Sequence, residues 1–229
     1  MESVLNKYLC LSNRLRAIAN LVSGNVAADV GCDHAYLSIF LAMHKCDYVY
    51  ATDVREKPLE RAKENIKKYG VEDKIKLILT DGLYNVPQSV DTVIASGMGG
   101  KLIERIVFEQ DWLKNKDKHL ILQPQTFLME LRQKLYLNGY EIESEYPVIE
   151  FDKSYCIISA RYSGCVRNIS LKDAVIGRIK DSNSKYASEF LTRRYKKYKK
   201  ALNGLRISGL DKQKIDKYEK ICNILSEWK

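Results

Sequence analysis

No apolar run in the 229-residue chain approaches the roughly 18 residues that a membrane span requires, although 45% of its residues are hydrophobic. The stretch MESVLNKYLCLSNRLRAIAN has no basic segment followed by an apolar block, so no secretory leader is expected and a cytoplasmic location is. Cys10, Cys32, Cys46, Cys156, Cys165 and Cys222 form no CxxC pair, and no histidine lies close enough to them for a zinc-like cluster. They are expected to be reduced side chains, Cys32 packing under a loop, and no metal site is expected. Glycine is also scarce where a dinucleotide would need it. The G-x-G-x-x-G turn lets backbone close on a pyrophosphate, but the corresponding stretch, Gly31-Cys-Asp-His-Ala-Tyr36, holds one glycine.

What is present is a strand–helix rhythm. Short apolar runs at 26–30, 48–53, 74–79, 91–95 and 119–122 read as strands. Amphipathic patterns at 12–22, 35–45, 57–69, from Leu102 to Val107, and 127–138 read as helices, Gly70 and Gly139 closing two of them. Two further strands, 140–150 and 154–162, follow with no helix between them. Such alternation predicts a mostly parallel sheet covered on both faces, with an antiparallel strand at one edge. A long helix from about Ser170 through Leu202, a break at 203–209 and a helix over 212–228 predict a C-terminal antiparallel helical hairpin, with Gly177 as a possible bend.

Charge divides the chain at the same place. Residues 167–229 carry 17 Lys+Arg against 7 Asp+Glu, whereas residues 1–166 carry 21 against 22, so the net charge of +9 belongs to the tail. We therefore expect a Rossmann-like body over 1–166 and a basic arm for a polyanion over 167–229.

Chemistry-bearing residues cluster at the carboxyl ends of the first four strands, where open α/β sheets bind ligands. They are the turn at Gly31, then Asp53, then Asp81-Gly82, then Ser96-Gly97-Met98-Gly99-Gly100. An acid at Asp53 suits the hydroxyls of a ribose, and Asp81 suits an adenine amino group that Gly82 lets approach. Asp33 replaces the second glycine of the fingerprint, where its charge repels a pyrophosphate but tolerates a cofactor without phosphates. S-adenosylmethionine, cationic at sulfur and nitrogen, fits that charge, and Asp33 becomes the reacting-site carboxylate. The class is then methyltransferase rather than dehydrogenase.

The strings DVGCDHAYL, SGMGG and LILQP, with the basic tail, resemble the TrmK family of bacterial tRNA (adenine(22)-N(1))-methyltransferases. The resemblance implies a class I S-adenosylmethionine-dependent fold and N1-methylation of a tRNA adenine. By position it implies cofactor contacts at Asp29, Gly31, Asp53, Asp81, Gly82 and Gly97. It implies base-facing roles for Asp33, His34, Tyr36, Met98, Gly99, Gly100 and Gln123. Ser38 stands where the family usually has proline, and Gln125 where asparagine is common. The Asn/Asp-Pro-Pro-Tyr/Phe loop of exocyclic amino methyltransferases is missing where SGMGG stands, which favours N1 over N6.

His34, Tyr36 and Met98 have ordinary readings too, as helix-start, core and loop side chains. The run Arg193-Arg194-Tyr-Lys196-Lys197-Tyr-Lys199-Lys200 lacks the acids that usually intersperse a solvated helix face. It is expected to bind phosphates of tRNA, with Tyr195 and Tyr198 stacking on bases or packing the hairpin. The expected protein is a monomeric, RNA-binding enzyme. The competing readings are a methyltransferase for another RNA site, a small molecule or a protein, and a non-catalytic RNA-binding protein.

Overall fold

The computed structural model describes residues 9–209 and 211–228. β1 (Val26–Val30), β2 (Tyr48–Asp53), β3 (Ile75–Leu79), β4 (Thr92–Gly99) and β5 (His119–Thr126) run parallel to one another. A hairpin of β6 (Tyr140–Glu150) and β7 (Lys153–Tyr162) extends them into one seven-stranded sheet, ordered β3-β2-β1-β4-β5-β7-β6. The hairpin supplies the antiparallel pairings at this edge: β7 runs against β5, and β6, outside it, runs against β7. The order reverses between β1 and β4, which opens a crevice at their carboxyl ends.

Two apolar layers sandwich the sheet. On one face, α1 (Asn13–Leu21), α2 (Tyr36–His44) and α3 (Glu56–Tyr69) pack Ile18, Ile39, Leu41, Ala62 and Ile66 onto Ala27, Val49 and Ile75. On the other, α4 (Gly100–Phe108) and α5 (Leu128–Leu137) bring Ile103, Ile106, Leu131 and Leu135 onto Val30, Val93 and Leu120. All six cysteines are free thiols. Burial pushes the Cys32 thiol well above its ordinary pKa, so it packs under the turn rather than reacting.

Two boundaries differ from the sequence expectation. SGMGG was expected as a loop, yet β4 continues through it to Gly99, its register against β5 shifting on either side of Met98. Gly97 has φ +78°, and Pro124 pairs with Met98 at this irregularity, where a strand tolerates a residue without an N–H. The tail is not one long helix followed by a second. It comprises α6 (Leu171–Ile176), a 3₁₀ turn (Gly177–Asp181), α7 (Ala187–Ser208) and α8 (Lys212–Ser226). Asn203 and Gly204 lie inside α7, with open space around Gly204; the turn comes at Gly209, φ +64°.

The early break has a physical cause. Gly177 has φ +62°, and a Cβ there would run into the carboxylate of Glu145 and sit 2.6 Å from Arg132 Cζ. Arg132 and Glu145 are both fully buried, with Arg132 Nε 2.8 Å from Glu145 Oε1. Arg132 Nη1 also donates to the carbonyls of Ala174 (2.7 Å) and Val175 (3.0 Å), while Glu145 Oε2 accepts from the backbone N–H of Arg178 (2.6 Å). This pair ties α5 and β6 to the end of α6. Beyond it, Val175, Phe190, Ile221 and Leu225 join the same apolar cluster as Val93 and Leu120. The charge boundary at 166/167 therefore crosses a shared core.

Removing one partner of such a pair strands the other. Arg132→Met is expected to cost about 3–5 kcal/mol, read as a lower urea midpoint at unchanged m-value. A loss below about 1 kcal/mol would show that Glu145 is rescued by solvent.

Candidate active site

The chain leaves β1 and enters α2 through residues 31–35, three of which have positive φ: Gly31 (+73°), Asp33 (+50°) and Ala35 (+58°). Gly31 and Cys32 donate their N–H groups to the carbonyl of Thr52 on β2, at 2.8 and 2.9 Å. At Gly31 a Cβ would lie 3.1 Å from Met98 Cε, so the turn and the β4 irregularity close on each other. Asp29 lies within β1, whereas Asp33 sits in the left-handed turn beyond it. Asp29 is 3% exposed, and Asp33 keeps 62% of its side chain in solvent.

Two cavities meet at this turn. One, of about 390 Å³, is lined by Asp33, Asp53, Asp81, Gly82, Met98 and Ile106 among others. The second, of about 220 Å³, is lined by Arg14, Asp29, Asp33, His34, Tyr36 and Gln125 among others. Gly31, Asp33, Ser96 and Gly97 belong to both walls. Asp33 thus stands where the cavities join, with Oδ2 3.7 Å from His34 Nε2, and the His34 and Tyr36 rings stack at 5.9 Å.

The remaining residues expected at the site divide into those with a free face and those already spent. Asp53 is buried and accepts from the Arg55 N–H at 3.0 Å. Asp81 is half-exposed and held by Arg105 Nη2 at 2.6 Å. Thr52 Oγ1 donates to the carbonyl of Gly82, which has φ +65°. Gln123 is fully buried: its Oε1 accepts from Gly97 N–H and Arg14 Nη1, each at 3.1 Å, and its Nε2 donates to the Pro124 carbonyl. It pins the β4 irregularity and lines neither cavity. Gly99 and Gly100 line neither cavity and back onto β5: a Cβ on Gly100 would sit 2.6 Å from the Thr126 carbonyl oxygen.

Arg14 was missed by the sequence reading. It arrives from the first turn of α1, with Nη1 within 3.5 Å of Ser96 Oγ and its guanidinium 5.4 Å from the Tyr155 ring centroid. Among the described residues no carboxylate forms an ion pair with it. Its signal was a cation in a helix's first turn, where the dipole disfavours it.

The donor set fits S-adenosylmethionine. Asp53 can accept from a ribose diol, Arg14 can meet a carboxylate, and Asp29 can meet an ammonium. At the first turn the Gly31 and Cys32 N–H groups are spent on the Thr52 carbonyl rather than free for a diphosphate, and Asp33 opposes one.

The basic run is only partly available. Arg193 is committed to Glu189 Oε1 (2.6 Å from Nη2) and to the carbonyls of Phe151 and Asp152. Arg194 lies between the rings of Phe190 and Tyr198, 5.7 and 5.6 Å from their centroids, and Tyr198 meets Tyr218 edge-on inside the hairpin. Lys196, Lys197, Lys199 and Lys200 are exposed. Lys196 and Lys197 flank an open trough that reaches Gln125, hence the second cavity.

Sheet order and cleft together define the class I, Rossmann-like methyltransferase architecture. The model of the methyltransferase domain matches residues 11–158. The tRNA (adenine(22)-N(1))-methyltransferase of Bacillus subtilis is 34% identical over 156 residues, an alignment covering 66% of this chain and 65% of that protein. The crystal structure of the B. subtilis m1A22 tRNA methyltransferase TrmK superposes with a TM-score of 0.80 at 28% identity, covering 96% of this chain and 99% of that one. M. capricolum TrmK, in complex with the cofactor product S-adenosyl-homocysteine, superposes at 0.75 with 26% identity, covering 94% and 99%. The chain belongs to the methyltransferase-domain family.

Ser38 has a use here: its Oγ donates to Asp29 Oδ2 at 2.6 Å. Burial nevertheless raises the Asp29 carboxyl to about 6, against the pull of Ser38 and Arg14. A carboxyl whose folded pKa lies above its unfolded value of about 3.9 favours folding most when neutral. That contribution is complete below the unfolded value and is lost as pH rises through the folded one. Relative to Asp29→Asn, the wild type is expected to lose about 2 kcal/mol of stability between pH 4 and pH 7, measured by urea unfolding at each pH. A pH-independent difference would mean that Asp29 is not desolvated.

Proposed function

We propose that this protein transfers the methyl group of S-adenosylmethionine to N1 of a tRNA adenine, position 22 as in the relatives' name. It would do so as a monomer acting on cytoplasmic tRNA. The carrying observation is Asp33, an exposed carboxylate at the junction of two cavities lined by further carboxylates, with a lysine-flanked trough leading away.

Bound in the cleft, the sulfonium cofactor supplies an activated methyl group. Asp53 holds its ribose, Arg14 and Asp29 its amino-acid end, and Asp81 and Gly82 border its adenine. Adenine N1 carries an in-plane lone pair and no proton, so the protein needs no general base there. Its task is to place the nitrogen and to steady the charge the ring acquires. Asp33 does both by accepting from the N6 amino group. His34 and Tyr36, stacked beside it, offer an aromatic wall for an extruded base. The exposed lysines of α7 take backbone phosphates.

Labelled methyl transfer to bulk tRNA, with the product nucleoside identified, tests this reading. N1-methyladenosine is expected; label on another nucleoside, or none, contradicts it. Asp33→Ala is expected to lower turnover at least 100-fold while leaving cofactor affinity within about threefold. Equal losses in both would make Asp33 a cofactor ligand. Because α6–α8 share the core, the arm is tested by substitution rather than deletion. Replacing Lys196, Lys197, Lys199 and Lys200 by Gln is expected to weaken tRNA binding and flatten its salt dependence by several units of slope. An unchanged slope would remove the arm from the interface.

A further inference from the structure

Phe127 joins β5 to α5 and is doubly unusual. It holds φ +58°, a left-handed conformation rare for a bulky residue, and it leaves 46% of its surface exposed. Its position is fixed from behind: a Cβ on Gly100 would meet the Phe127 carbonyl at 3.1 Å and its Cβ at 3.2 Å. Lys101 Nζ sits 5.0 Å from the ring centroid.

The residue lines a cavity of about 330 Å³ whose opposite wall is α7, with Arg194, Lys197 and Tyr198. Arg194 Nε is buried there without a hydrogen-bond partner, and burial lowers the guanidinium's pKa. A buried guanidinium N–H left without an acceptor is costly, and an anion would relieve it. Glu130 also lines the cavity, but Lys217 lies 3.5 Å from its carboxylate. Gln125 belongs to the walls of both this cavity and the one that holds Asp33. An aromatic face, a guanidinium with one buried, unsatisfied N–H and an exposed lysine around one opening match a nucleotide: a base to stack and a phosphate to neutralise.

We propose that this cavity is a second nucleotide site, in which Phe127 stacks on the base adjoining the methylated adenine while Arg194 and Lys197 take its phosphate. The assignment rests on the RNA adenine reading above and adds a substrate-positioning site to it.

The test pairs a protein change with an RNA change. Methyl-transfer kcat/KM is measured for wild type and Phe127→Ala, on synthetic tRNA with native bases and with an abasic residue on either side of the target. Wild type is expected to lose about tenfold on one of the two abasic RNAs. Phe127→Ala is expected to lose about tenfold on intact RNA, none further on that abasic RNA, and no cofactor affinity. Two losses that multiply, or Phe127→Ala within twofold of wild type on intact RNA, overturn the site and leave the adenine reading standing. Wild type that methylates no adenine in intact tRNA overturns both. Lys197→Gln, an exposed substitution, provides an independent check: the slope of log affinity for tRNA against log salt should become shallower by about one unit. An unchanged slope takes the phosphate out of the cavity.

Discussion

The chain must leave β1 and enter α2 within five residues, and it does so without the glycines that usually make such a turn. Left-handed backbone at Gly31, Asp33 and Ala35 is the cost. The arrangement puts one carboxylate below the turn and another above it. Asp29 is buried against Ser38, and Asp33 projects where two cavities join. A turn built with G-x-G-x-x-G would expose N–H groups to a diphosphate; this one presents negative charge instead. The choice of a cationic, phosphate-free cofactor follows from that backbone path.

The tail depends on a different interaction. Arg132 caps the last carbonyls of α6 and pairs with Glu145, whose second oxygen receives the Arg178 N–H. The basic helix α7 is thereby set against β6 and β7, with Lys196 and Lys197 along the trough that reaches Gln125. Some of its charge serves that placement: Arg193 holds the β6–β7 turn through the Phe151 and Asp152 carbonyls. Exposed lysines on the same helix remain for a polyanion.

Much of this was legible in the sequence. The strand–helix rhythm was carried by short apolar runs, and the four carboxylate- or glycine-bearing strand ends by their spacing. The tail's net charge stood out against a neutral body. Long-range packing was not legible. Nothing local indicates that Gly177 faces a buried ion pair 32 residues upstream at Glu145, and so ends a helix that its neighbours would continue. Gln123 reads as a base contact until Gly97 and Arg14 are seen to occupy its carbonyl oxygen. Asn203-Gly204 resembles a stop signal, but an exposed glycine in a 22-residue helix costs only about 1 kcal/mol, and the hairpin packing overrides it.

The central claim is that the acidic turn selects a cationic donor over a diphosphate. Isothermal titration of the full chain with S-adenosylmethionine and, separately, with NAD measures it directly. The account predicts stoichiometric binding of the sulfonium compound and no detectable heat from the dinucleotide. Tight NAD binding with no affinity for S-adenosylmethionine would contradict it.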